Sequence, residues 1–258
     1  MERASELAKL TSPYMMRREN DVLSAYLPPK REFTVFCTMS DLQIKMYEKV
    51  ISMTLPKIHT GSLLQGTILA ILVLLGKLAT HPWLAFCRDI DSTFSIGDKE
   101  NTSQTLDKFK TPLVEMWKAS NARDELRLED SGKMSILFSI LKEIIHRNEK
   151  VVVGSGSTET LNLVQRLCDS ENWPTVRLDG SIDSLKRDSA VRTFNNVNSA
   201  MIFLLSKRAG GVGLTLTGGK HLITIDVDWN PAVDAQTYGR IYREGQKQET
   251  FIYKLVSS

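Results

Sequence analysis

Gln236, Arg240 and Arg243 stand at i, i+4 and i+7, a spacing that would place all three on one face of a helix. Two guanidinium forks one turn apart suit a polyanion, because each can give directional hydrogen bonds to phosphate oxygens. A solvated face with surface ion pairs is the plainer alternative. Tyr238, Ile241 and Tyr242 fall on another face and are expected to pack inward. A second cluster, Ser206-Lys207-Arg208 followed by Ala209-Gly210-Gly211-Val212-Gly213, follows an apolar run ending at Leu205. Glycines there would let backbone amides approach a phosphate closely while the basic pair adds charge; otherwise the segment is a turn. Asp179-Gly180-Ser181 and Asp226-Val227-Asp228-Trp229-Asn230-Pro231 also follow strand-like runs.

Two further glycine segments fail on spacing. In a dinucleotide fingerprint opening at Gly154 and Gly156, the third glycine would be Glu159, a carboxylate facing a pyrophosphate. Read as a P-loop, Gly213 to Lys220 puts Leu214 where the first glycine belongs and His221 where the magnesium-binding hydroxyl belongs. The chain therefore lacks the primary equipment for holding Mg-ATP, and no metal site is expected. Cys37, Cys87 and Cys168 form no C-x-x-C pair, so neither a zinc site nor a disulfide framework is suggested. The four histidines are scattered and are read as structural.

These clusters need a frame that holds them. From Met134 onward, short apolar runs alternate with helical ones: Val151–Val153, Leu161–Leu167, Val176–Leu178, Leu185–Phe194, Met201–Leu205, His221–Ile225, Val233–Tyr242 and Phe251–Val256. Fully apolar runs mark strands buried on both faces, and their alternation with helices predicts an α/β fold with a doubly wound parallel sheet. Polar loops at the carboxyl ends of such strands are where open α/β sheets bind ligands. Upstream, Glu32 to Thr38 reads as a strand, and Asp41–Leu55 and Gly61–Ala79 read as helices. A polar stretch, 89–130, holds one amphipathic segment near Leu113–Ala119. The 258 residues are 42% hydrophobic and 24% charged, with a net charge of +3, which permits a nucleic-acid partner without requiring one. The longest apolar run, Ile68 to Leu75, falls well short of the roughly 20 residues that span a bilayer.

Taken together, Leu205–Leu214, Asp226–Pro231 and Gln236–Gln246 resemble the fifth and sixth motifs of the Swi/Snf-type ATPases, in order and spacing. Val151–Ser155 and Arg177–Ser181 look like the fourth-motif region. Met16–Arg18, Leu27–Lys30, Gln43 with Tyr47, His81-Pro82 and Ser131–Met134 extend the likeness over nearly the whole chain. It is nearest to the recombinational-repair, Rad-fifty-four, branch. The resemblance implies a RecA-like second motor lobe over 131–258, a helical protrusion over 32–130, and the end of a first lobe over 1–31. It implies arginine fingers at Arg240 and Arg243, with Gln236, Gln246 and Gly213 near the nucleotide. Ser155, Gly180, Ser206, Arg208 and Trp229 match positions lining a DNA track. ATP and Mg2+ would be held mainly by the first lobe, so this piece alone is expected to be inactive. Expected partners are double-stranded DNA, that first lobe, and a RecA-type recombinase filament or nucleosomes, in the nucleus. Gly156, Ser157, Thr215 and Thr237 depart from the usual pattern. A remodeller of another branch and a non-catalytic DNA-binding module are the alternatives.

Overall fold

Val151, Val152 and Val153 are all fully buried, which a strand achieves only with cover on both of its faces. In a computed structural model of the chain, which describes residues 2–15, 26–59, 65–86, 111–120, 127–180, 182, 184–196, 201–208 and 214–258, that cover is present. Six strands form one sheet in the order β1-β6-β5-β2-β4-β3: β1 (Lys30–Cys37), β2 (Val151–Ser155), β3 (Thr175–Leu178), β4 (Ile202–Ser206), β5 (His221–Thr224) and β6 (Thr250–Ser257). Every neighbouring pair is parallel. Successive strands β2, β3 and β4 fill one side, and the chain then crosses to the other side of β2 to lay down β5 and β6. The reversal leaves the carboxyl ends of β4, β2 and β5 side by side, at the position where open sheets of this kind bind ligands.

Side-chain alternation divides the core. Val151, Val153, Ile202, Leu204 and Ile223 pack towards α5 (Gly132–His146) and α6 (Thr158–Ser170), against residues such as Leu137, Leu141 and Leu163. Val152, Phe203, Leu205 and Leu222 face the opposite way, onto Phe194 of α7 (Ser184–Asn196), Leu216 and Ile241. A third apolar cluster is built by α2 (Asp41–His59), α3 (Gln65–Thr80) and a short helix, α4, over 111–119, around Met46, Leu74, Leu78 and Leu113. Among the described residues the other α-helices are α1 (Glu2–Thr11) and α8 (Pro231–Tyr238).

The strand expected at Glu32 to Thr38 forms one position or two earlier and joins the main sheet, paired along its length with β6. A domain boundary at residue 32 therefore falls inside the sheet, and the helical layer begins after Cys37. That layer is stitched to the sheet domain. Gln43, wholly buried, donates to Leu78 O (2.8 Å) and accepts from Gly132 N (3.2 Å). Ser131 caps α5 by accepting from Met134 N and also donates to Thr80 O (2.5 Å). Met16 to Arg18, Cys87, residues 89–110, Ser181 and Ala209 to Gly213 lie outside the described residues.

Candidate nucleic-acid and phosphate interface

Beyond the carboxyl end of β5, the Asp226 carboxylate accepts from Ser155 Oγ and from Gly156 N (2.9 Å and 3.1 Å), tying β5 to the end of β2. At the end of β4, the Lys207 ammonium reaches the Asp226 carbonyl and lies 3.1 Å from Asp226 Oδ1 and 2.7 Å from Asp234 Oδ1. The second Asp234 oxygen accepts from Asp228 N (3.2 Å). Lys133, at the start of α5, donates to Ile225 O (3.1 Å). Burial of Lys207 works against its charge, but the Asp226 and Asp234 carboxylates outweigh it and hold its pKa above the ordinary lysine value. For Lys133 burial prevails, with Lys207 adding repulsion, and its pKa is lowered despite Asp226.

This network shapes a projecting loop. Asn230 caps α8 by accepting from Ala232 N (3.0 Å), Asp228 Oδ1 accepts from Asn230 N (2.9 Å), and Pro231 fits the first helical turn. Trp229, between the two side-chain braces, is 90% exposed, and Val227 beside it is 55% exposed. Arg208 is exposed on the neighbouring strand end. A turn that sends Lys207 inward sends Arg208 out. One end of the sheet therefore carries an exposed indole and an exposed guanidinium.

The structure corrects several expectations here. Ser155 and Ser206 are buried (0% and 4% exposed), and the Ser155 hydroxyl is committed to Asp226, so neither faces a ligand. The basic pair splits, with Lys207 internal. Gly180 is exposed at the end of β3, and a methyl group there would meet no atom within 4 Å. Gly213 lies outside the described residues.

Gln236, Arg240 and Arg243 do not share a helix face, because α8 ends at Tyr238. Gly239 closes the helix, and the next amides bond to closer carbonyls: Arg240 N to Thr237 O (3.1 Å) and Ile241 N to Tyr238 O (3.2 Å). The Arg240 carbonyl, which a longer helix would use internally, accepts from Leu216 N (2.8 Å). Burial of Ile241 anchors this turn in the core. Tyr238 packs against the same core as expected. Arg240 and Arg243 nevertheless come together: both are half-buried, and burial followed by the neighbouring Arg243 charge lowers the Arg240 pKa. Arg243 donates to Leu214 O (3.3 Å). Gln236 is exposed on α8. Gln246 points the other way: its amide donates to Gly219 O (3.0 Å) and Ile241 O (3.1 Å) and accepts from Lys247 N and Gln248 N. With donors and acceptor occupied by backbone, it holds the turn rather than a nucleotide.

Donor chemistry at this turn fits a phosphate tail. Among the described residues no group of three or more histidine, cysteine or carboxylate side chains could hold a metal ion. Among the same residues no helix is long and apolar enough to cross a membrane.

Sequence reasoning missed the Lys207–Asp226–Asp234 network. Its one signal was Asp234 in the first turn after Asn230-Pro231, an acid near a helix start opposite a basic strand end.

Residues 132–245 match the helicase conserved C-terminal domain, and residues 1–84 match the SNF2-related domain. The chain is 38% identical to the DNA repair and recombination protein RAD54B of Mus musculus, over 99% of this chain and 29% of that protein. It is 36% identical to the DNA repair protein rhp54 of Schizosaccharomyces pombe, over 98% of this chain and 28% of that protein. It is 35% identical to the DNA repair and recombination protein RDH54 of Saccharomyces cerevisiae, over all of this chain and 24% of that protein. The chain thus spans less than a third of the length of these relatives. Among solved structures, the C-terminal part of the Fun30 ATPase domain superposes with a TM-score of 0.68 at 25% identity, covering 90% of this chain and 86% of that one. The Sulfolobus solfataricus SWI2/SNF2 ATPase core in complex with dsDNA superposes with a TM-score of 0.66, covering 98% of this chain and 47% of that one; at 23% identity this likeness is one of fold.

Proposed function

We propose that the chain, which matches the SNF2-related domain over residues 1–84 and the helicase conserved C-terminal domain over residues 132–245, forms the second motor lobe of a Swi/Snf-type, ATP-dependent double-stranded DNA translocase acting in recombinational repair. The observation that carries this reading is the pairing of two features on one RecA-like lobe. Trp229 and Arg208 project at the carboxyl ends of β5 and β4, and the half-buried Arg240 and Arg243 lie on the turn that follows α8. The first pair would meet the DNA backbone and supply affinity without reading bases. The second pair would stabilise charge developing on a transferred phosphoryl group, a role worth about 10³–10⁵ in rate where such arginines act. The nucleotide and magnesium would be held chiefly by a partner lobe bearing a P-loop, so this chain supplies half of a composite site and alone turns over no ATP. The similar DNA repair and recombination proteins support DNA as the partner. Remodelling of a recombinase filament or a nucleosome, in the nucleus, is the setting this reading favours.

The test is steady-state ATP hydrolysis by this chain joined to a P-loop lobe, with and without duplex DNA, beside Arg240→Ala and Arg243→Ala. DNA-stimulated turnover that collapses in both variants, with DNA binding retained, supports the reading. Tight DNA binding with no turnover in the unaltered protein would make this chain a non-catalytic DNA-binding module.

A further inference from the structure

Lys207, at the end of β4, touches the start of the 226–230 loop and α8 at once. Its ammonium contacts the Asp226 carbonyl and carboxylate and the Asp234 carboxylate, and its side chain has no solvent exposure. Its backbone N–H donates to Ser155 O (2.9 Å). The loop fixed on one side carries Trp229; the helix fixed on the other leads within a few residues to Arg240 and Arg243.

We propose that Lys207 is a positioning residue which links the exposed 226–230 loop to the helix and turn that present Arg240 and Arg243. This rests on the motor-lobe reading above. A buried ammonium between two carboxylates holds both of them only while it stays charged and in place. Removing it leaves Asp226 and Asp234 facing each other without that counter-charge, so at least one must take up a proton or move towards water, and either change weakens its hold on its partners. Asp234 lies in the first turn of α8, and Asp228 N depends on it, so its displacement frees the loop and the helix from one another. Force on Trp229 or Arg208 would then no longer reach the arginine turn as a rigid displacement. Because Lys207 is internal, it contributes no phosphate contact of its own, although its neighbour in sequence would.

The experiment uses the same two-lobed protein. Lys207→Met removes the charge while keeping the stem volume, Lys207→Arg keeps the charge, and Asp234→Asn weakens one arm while leaving the ammonium paired with Asp226. For each, three quantities are read: duplex affinity with its salt slope, DNA-stimulated kcat at saturating DNA, and base pairs moved per ATP. The expected result for Lys207→Met is an unchanged salt slope. Stimulated kcat falls about tenfold to a hundredfold from misplaced arginines, with fewer base pairs moved per ATP. Lys207→Arg recovers part of that loss, and Asp234→Asn shows a smaller fall of the same kind. If Lys207→Met lowers the salt slope along with affinity, Lys207 is a phosphate contact and the proposal is overturned. Stimulated kcat and step economy equal to the unaltered protein in both Lys207→Met and Asp234→Asn would overturn it as well. Should Lys207→Met fail to fold, Asp234→Asn alone decides between these outcomes. Absence of DNA-stimulated turnover in the unaltered protein would instead remove the motor reading itself.

Discussion

One substitution, glycine to alanine, should have opposite effects at two positions of this chain. A Cβ at Gly132 would lie 1.8 Å from the Thr38 carbonyl oxygen and 2.8 Å from its carbon. Both are backbone atoms, so no side chain can swing aside, and the two segments must part by about an ångström or more for a Cβ to reach ordinary contact distance. The contacts there are the ones that fasten the helical layer to the sheet. Gly132 N donates to Gln43 Oε1 (3.2 Å), Ser131 caps α5, and Ser131 Oγ donates to Thr80 O. Losing these two hydrogen bonds at about 1 kcal/mol each, and a cap worth about 1 kcal/mol, predicts a destabilisation of about 3 kcal/mol for Gly132→Ala. Gly76, in the interior of α3, has no atom within 4 Å of where a Cβ would stand. There Gly76→Ala should stabilise by roughly 0.5–1 kcal/mol through helix propensity. Urea unfolding followed by circular dichroism measures both. Gly132→Ala within about 1 kcal/mol of the unaltered chain would refute the reasoning. So would a loss of stability in Gly76→Ala.

Other outcomes follow from the exposed residues, the histidines and the thiols. Arg208→Ala should weaken duplex binding and lower the salt slope by about 0.9, as expected for one lost phosphate contact, in a titration from low to high salt. Trp229→Ala should weaken the same binding while leaving the urea midpoint nearly unchanged, since the indole is 90% exposed. His81 is held neutral: Nε2 pairs with Arg127 O (3.2 Å), and Nδ1 accepts from Trp83 N (3.1 Å). Burial lowers its pKa from the usual 6.5. A depressed folded pKa means that its stabilising contribution is present above 6.5 and is lost as pH falls through the folded value. The urea midpoint should therefore drop between about pH 7 and pH 5.5, and drop less in His81→Gln. Burial pushes the Cys168 thiol up to about 11, so a thiol reagent at about pH 8 should leave it unmodified until the chain unfolds.

The sheet was legible because its strands are buried on both faces and announce themselves as apolar runs. The runs at Val151–Val153, Met201–Leu205 and His221–Ile225 fall on β2, β4 and β5. Strand order was not legible, since which strands pair depends on crossovers that no local run encodes. The sheet membership of β1 was hidden for the same reason: Lys30 to Cys37 has a single wholly buried residue and pairs with β6, about 220 positions away in sequence, as in Lys30 with Thr250. At the site, helical spacing overran the true helix end. Nothing between Gln236 and Arg243 except Gly239 warns that the Arg240 carbonyl is taken by Leu216 N. Ser155, Ser206 and Lys207 carry groups suited to phosphate, yet burial diverts Ser155 and Lys207 to internal carboxylates and takes Ser206 out of reach of a ligand. Residue type alone could not separate Lys207 from Arg208; direction at the end of β4 does.

The most direct test of the motor reading is movement. This chain, joined to a P-loop lobe, would be placed on duplex DNA carrying a bound third strand, and release of that strand would be followed with ATP, without ATP, and in Arg243→Ala. The expected result is ATP-dependent release by the unaltered protein and none by Arg243→Ala, although both bind the duplex equally. Release that persists in Arg243→Ala, or that needs no ATP, would contradict the motor reading.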